Sequence, residues 1–194
     1  MNRHLTFQQY RSLDLFFFAV MLALSETLIV RAAGHWYPDQ LYTVSVTAAI
    51  TALVLMRWGP WAAIHAALGG VVFCLAAGGS AKQMLVYALG NELALLNLLL
   101  IRLRGKQRIR ENKLLTLLFA LLTLVLMQFG RAGMALLLGA TTADALDFFT
   151  TDALSGLFTM VIVWIASRLD GVFEDQKTYL LRVHEQMERE KGGS

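Results

Sequence analysis

Six stretches of the chain, about 13 to 33, 41 to 58, 60 to 78, 83 to 101, 114 to 139 and 149 to 168, are mostly apolar, and only short polar turns separate them. Crossing a hydrocarbon core of about 30 Å takes roughly 20 mostly apolar residues in a helix. Backbone in lipid must satisfy its own hydrogen bonds, so runs of this length resolve into helices. Together they use most of the 194 residues, and a hydrophobic share of 57% with a mean hydropathy of +0.55 exceeds what a soluble domain of this size carries. The expected fold is an all-α integral membrane protein, a six-transmembrane-helix bundle. Residues 1–169 form the membrane domain in this reading, and 170–194 form a cytoplasmic amphipathic tail.

The charges orient this bundle. Basic residues resist translocation, so loops rich in Lys and Arg stay in the cytoplasm. Of the 17 Lys and Arg, Arg3, Arg11, Arg57, the six in RLRGKQRIRENK and the five from Arg168 onward fall on one side, while Arg31 and Lys82 fall on the other. Both termini are therefore expected in the cytoplasm of a multi-pass cell-membrane protein. The net charge of +3 is accounted for by these flanks, so the lipid bilayer and not nucleic acid is the expected partner.

Ionisable groups at depth are costly and usually face a bundle interior, a cavity or one another. Arg131 interrupts the run LVLMQFGRAGMALLLG, with Gln128 one turn before it on the same face. Asn91 and Glu92 lie near the middle of the fourth run, and a Glu92–Arg131 pair is the simplest internal solution. Such a pair either fixes helix packing or lines a binding cavity. In the sixth run Asp152, Ser155 and Thr159 fall on one helical stripe, which is expected to face a cavity shared with Arg131. Trp36, Tyr37 and Tyr87 are candidates to stack on a ring, although Trp36 and Tyr37 equally suit an interfacial belt. Glu26 is placed to pair with Arg31 or with the following loop.

Catalytic constellations are missing. HExxH, GxSxG and GxxxxGK[ST] do not occur, the one cysteine, Cys74, sits mid-span, and His65 has no second ligand at metal spacing. No enzyme activity, metal or cofactor is expected.

Small residues at four-residue steps, Ala19 and Ala23 in the first run and Ala62, Ala66 and Gly70 in the third, let helices approach closely in lipid. Six short spans with both ends inside, AxxxA in span one, a polar outer half and no ATP site resemble the substrate-binding S components of energy-coupling factor (ECF) vitamin transporters. The segment GPWAAIHAALGGVVFCLAAGGSAKQMLVYALGNE, followed by a basic loop, is also similar to members of that superfamily. The resemblance covers residues 10 to 180. It implies a small-molecule vitamin-like ligand taken from outside, in a pocket formed by spans four to six and capped by the loops after spans one, three and five. It also implies docking through Ala19 and Ala23 on a transmembrane T component driven by two ATPase subunits. By depth and face, the substrate-binding candidates are Trp36, Tyr37, Tyr87, Asn91, Glu92, Gln128, Arg131, Asp152, Ser155 and Thr159. The competing reading is a non-transporting membrane scaffold resembling the rod-shape-determining membrane proteins, and it predicts an outer half that packs solid.

Overall fold

The computed structural model describes residues 6–37 and 42–192, and among them every regular element is a helix. After α1 (Phe7–Trp36) come α2 (Thr47–Trp58) and, through a 3-10 turn at Gly59–Trp61, α3 (Ala62–Ala77). Next, α4 (Ala81–Gly90) runs through a 3-10 segment, Asn91–Asn97, into α5 (Leu98–Arg104). Short α6 (Lys106–Glu111) leads to α7 (Lys113–Leu137), then α8 (Thr142–Thr150), α9 (Ala153–Ala166) and the tail helix α10 (Gln176–Gly192).

The polar turns that separate the apolar runs also start the helices. Thr6, Ser80 and Thr141 each form a reciprocal capping box with the residue three positions on, Gln9, Gln83 and Asp144. Each box satisfies two backbone donors that the first turn leaves without partners. Asn112 does the same for α7, its Oδ1 accepting from the Leu114 and Leu115 N–H groups at 3.0 and 3.2 Å.

Five helical stretches are long and apolar enough to cross a membrane, Phe7–Trp36, Thr47–Ala77, Ala81–Arg104, Lys113–Leu137 and Thr142–Ala166, as expected of a multi-pass membrane protein. The second is not a straight rod. Gly59, at φ +61°, turns the chain, and α3 folds back along α2 until Gly69 lies against the Thr47 side chain. The runs expected at 41 to 58 and 60 to 78 thus form one hairpin, with residue 41 outside the described residues. All twelve residues of α2 are buried, and its length of about 18 Å is short for a span. Protein and not lipid surrounds it, which is the condition under which non-helical backbone at its ends is tolerated at membrane depth.

The lipid-facing helices are the opposite case. Only Phe18, Leu22 and Glu26 of α1 are buried, a single i, i+4, i+8 stripe, while Phe16, Leu24 and Leu28 face outward. Ala19 and Ala23 lie half-buried along that stripe's edge. The fourth run, expected as a uniform helix, is 3-10 at its centre, and the sixth begins earlier than expected and breaks at Thr151–Asp152. Both departures lie next to close contacts between elements. Between α4 and α7 the backbones touch: a Cβ on Gly130 would overlap the Gly90 carbonyl, and one on Gly90 would come within 2.6 Å of the Arg131 nitrogen.

At the other end of α2 the tail is stitched to the bundle. Arg57 Nε and Nη2 donate to the two Asp14 oxygens at 2.9 and 2.6 Å, and Nη1 donates to the Gly171 and Val172 carbonyls at 2.5 and 3.1 Å. Trp58 Nε1 adds a bond to Asp14 at 2.5 Å. Gln176, fully buried, donates to the Gly171 carbonyl at 2.8 Å and accepts from the Tyr10 hydroxyl at 3.1 Å. Phe173 packs edge-on against Phe119, with ring centroids 6.0 Å apart. The first residues of the tail thus belong to the core of the membrane domain.

Candidate functional site

Arg131 is 3% exposed and sits where α4, α7 and α9 meet. Its Nε donates to Asn91 Oδ1 at 2.7 Å, and its Nη1 donates to Asp152 Oδ2 at 2.7 Å. The guanidinium carbon lies 4.6 Å from the centroid of the Tyr87 ring, a cation–π contact. Tyr87 is in turn stacked on Phe73, centroids 5.0 Å apart, and meets Phe148 edge-on. Asn91 is oriented by its own amide, which donates to the Ala66 carbonyl at 2.9 Å. Arg131 Nη2 has no hydrogen-bond partner among the described residues.

The cation's partner is therefore Asp152 and not Glu92, which corrects the pairing expected from depth alone. The physical reason is direction. Gly90 touching Gly130 brings the start of the 3-10 segment against α7 with Asn91 facing Arg131, and the next residue is rotated away by about a third of a turn. Glu92 emerges half-buried in a groove between α4 and α7, among Leu89, Leu93 and Phe129.

The stripe read in the sixth run exists, with Asp152, Ser155 and Thr159 all buried on one face of α9. It grips a segment of chain where a cavity was expected. Thr43 donates through its hydroxyl to Asp152 Oδ1, and its N–H donates to the Thr151 carbonyl at 2.9 Å. Ser155 Oγ donates to the Thr43 carbonyl at 3.1 Å and accepts from the Ser45 N–H at 3.0 Å. One residue on, the Val46 N–H donates to Glu26 Oε2 at 2.9 Å. Residues 43–46 are thus a non-helical strap lying across the Arg131 cluster and hung from α9 on one side and α1 on the other.

Other expected positions lie elsewhere. Trp36 and Tyr37, at the end of α1, are 71% and 64% exposed and do not join the cluster. Tyr37 borders a cavity of about 490 Å³ with Tyr42, Thr43, Phe73 and Arg31. Arg31 is exposed there, so Glu26 pairs with backbone and not with it. Gln128 is buried one turn inward of Arg131 without a hydrogen bond to it among the described residues. Thr159 is fully buried and its hydroxyl has no partner in the described residues. His65 is held by the Leu15 carbonyl at 2.9 Å, a packing role.

Thr43 and Ser45 were not among the candidates, because both fall at the start of the run 41 to 58, expected as a helix, and the structure leaves residues 42–45 outside any helix. Asp14 was missed as well. It stands at the very start of the first run, and only the tertiary fold brings it to Arg57.

The cluster joins a cation, a carboxylate, an amide and an aromatic ring in one buried, hydrogen-bonded group. Among the described residues there is no group of three or more His, Cys, Asp or Glu able to hold a metal ion. No protein family, curated protein or solved structure matches this chain.

Proposed function

We propose that this chain is the membrane-embedded, high-affinity binding subunit for uptake of a vitamin or cofactor precursor. In this reading it crosses the membrane six times with both termini in the cytoplasm. It docks through the Ala19 and Ala23 ridge on an ATP-driven energy-coupling factor module of a T component and two ATPase subunits. The supporting observation is the under-coordinated Arg131 beneath the 43–46 strap. A ligand's carbonyl or anionic group would take the open Nη2 while Asp152 keeps Nη1. The strap, bonded to Asp152 through Thr43, would then be a gate between the cavity beside Tyr37 and the cation below.

The test is a native mass spectrum of the protein purified in mild detergent, followed by thermal shifts with a panel of vitamins and their precursors. A co-purifying small molecule, absent from Arg131→Met and from Ser155→Ala, which loses α9's hold on the strap, is the expected result. A folded Arg131→Met variant that keeps the molecule overturns the site.

One observation favours the scaffold reading. Arg131, Asn91, Asp152 and Ser155 are 0 to 4% exposed and bond to one another, to the strap and to the Ala66 carbonyl, so this part of the bundle packs solid. On that reading the cluster only fixes helix packing. Arg131→Met would then lower the melting temperature without changing any small-molecule binding, and the cytoplasmic tail would be the recruiting element.

A further inference from the structure

Among the described residues, the carboxylates well inside the membrane-spanning stretches have partners, with one exception. Asp14 meets Arg57, Asp152 meets Arg131, and Glu26 accepts a backbone N–H. Glu92, midway along Ala81–Arg104, has neither an ion pair nor a hydrogen bond among the described residues. It opens on a groove of about 430 Å³ whose walls are Leu89, Leu93, Phe129 and Leu137 and whose floor includes Gly133. A Cβ at Gly133 would meet nothing within 4 Å, so the floor is open where Gly130 beside it is closed by Gly90. An apolar groove facing lipid is ordinary. A carboxylate set in one is not, because lipid offers it neither donor nor cation.

We propose that this groove is a docking site for a transmembrane helix of a different protein, one that presents a Lys or Arg side chain at mid-membrane for Glu92 to receive. Charge complementarity selects that occupant. A second copy of this chain related by a two-fold axis would set Glu92 against Glu92, and the chain's own mid-span cation, Arg131, is already committed to Asp152. The site is also separate from the Ala19 and Ala23 ridge. Helix α1 packs on α3, α3 on α4 and α4 on α7, so the groove lies around the bundle from α1. The inference therefore stands whether the chain is a binding subunit or a scaffold. Open glycine space lets the partner backbone approach closely, and the low dielectric strengthens the charge contact once it is made.

The test uses donor-labelled full-length protein in phosphatidylcholine vesicles and acceptor-labelled synthetic helices of about 20 residues. One helix is all leucine, one carries a central Lys and one a central Glu. Energy transfer is expected to show the Lys helix associating roughly tenfold more tightly than the all-leucine helix, the size of one good polar contact in a bilayer. Glu92→Gln should remove most of that preference, and Gly133→Leu should fill the groove and remove association altogether. Circular dichroism of both variants should match the parent, since neither side chain is packed in the core. Equal association of the Lys and leucine helices would overturn the proposal and leave a groove for any helix or acyl chain. So would an unchanged preference in Glu92→Gln, or energy transfer between two copies of the protein that Glu92→Gln abolishes.

Discussion

Two buried arginine–aspartate pairs hold the two ends of this bundle, and they are built differently. Arg57 is 6% exposed and uses all three nitrogens: both Asp14 oxygens and two tail carbonyls accept from it, and its guanidinium lies 5.1 Å from the Phe18 ring. Arg131 is 3% exposed, yet it has one oxygen of Asp152, one of Asn91 and a ring face, with no hydrogen-bond partner for Nη2 among the described residues. Asp14 is also held by the Trp58 indole, a stiff group on a helix. Asp152 is held by Thr43, which lies on a strap without helical hydrogen bonds. Saturated coordination by rigid groups makes the Arg57 pair, the inner one in the orientation proposed above, a fixed joint. Fewer engaged donors and a carboxylate bonded to non-helical chain leave the Arg131 pair, the outer one, less restrained.

The strongest test of this contrast is Arg57→Met. It leaves Asp14 buried without its cation and unties the tail carbonyls, and removing one partner of a buried pair costs about 3 to 5 kcal/mol. Chemical unfolding in detergent should show that loss, and limited proteolysis should reach residues 171–176 in the variant only. If Arg57→Met is no more destabilising than Arg131→Met, the two pairs are alike and the contrast fails.

Gly130→Ala comes next in size. The added methyl would meet the Gly90 carbonyl, a backbone atom that cannot rotate away, and overpacking of this kind costs about 1 to 3 kcal/mol. The α4–α7 separation should widen and draw Asn91 away from Arg131. A melting temperature equal to the parent's would show that the glycine contact does not set the geometry of the outer pair.

A double-mutant cycle of Arg131→Met and Asp152→Asn isolates the outer pair itself. Its coupling should be about 1 kcal/mol, in the range found for polar contacts between membrane helices and below that of the inner pair. A coupling as large as that between Arg57 and Asp14 would make the outer pair a second fixed joint and favour the scaffold reading.

The same contrast explains what the sequence made legible. Membrane class and the positions of most helices were readable because lipid forces long apolar runs, whereas the capping residues Thr6, Ser80, Asn112 and Thr141 were found only in the structure. The buried stripe of Asp152, Ser155 and Thr159 followed from helical periodicity. Depth alone could not choose between Glu92 and Asp152 for Arg131, because that choice rests on a backbone contact at Gly90 and Gly130 that turns the helix by less than half a turn. The hairpin at Gly59 was partly legible, as two adjacent runs, but nothing local revealed that α2 would be wholly enclosed and so need only twelve residues. Asp14 lies inside the first run and Gly171 lies in the tail, and long-range contacts of this kind leave no periodic trace.

The smallest effect expected concerns the tail that completes the inner joint. Asp175 hydrogen-bonds Lys106 in the basic loop. Partial burial pushes its carboxyl up, but the Lys106 bond and charge, with help from the Thr178 backbone and hydroxyl, more than cancel this and hold it below the ordinary aspartate value. A group whose value is lowered by docking favours the docked tail above its free value, near pH 4, and loses that contribution as the pH falls through the lowered value. Relative to the intrinsic exchange rate at each pH, acidification below about pH 4 should therefore lower amide protection at the start of α10, and Asp175→Asn should produce the same loss of protection at neutral pH and remove this part of the response. The side chain is 33% exposed, so water screens the contact and the change stays well under that of Arg57→Met. Exchange in α10 that responds to Asp175 as strongly as to Arg57 would mean that the surface contact, and not the buried guanidinium, fastens the tail.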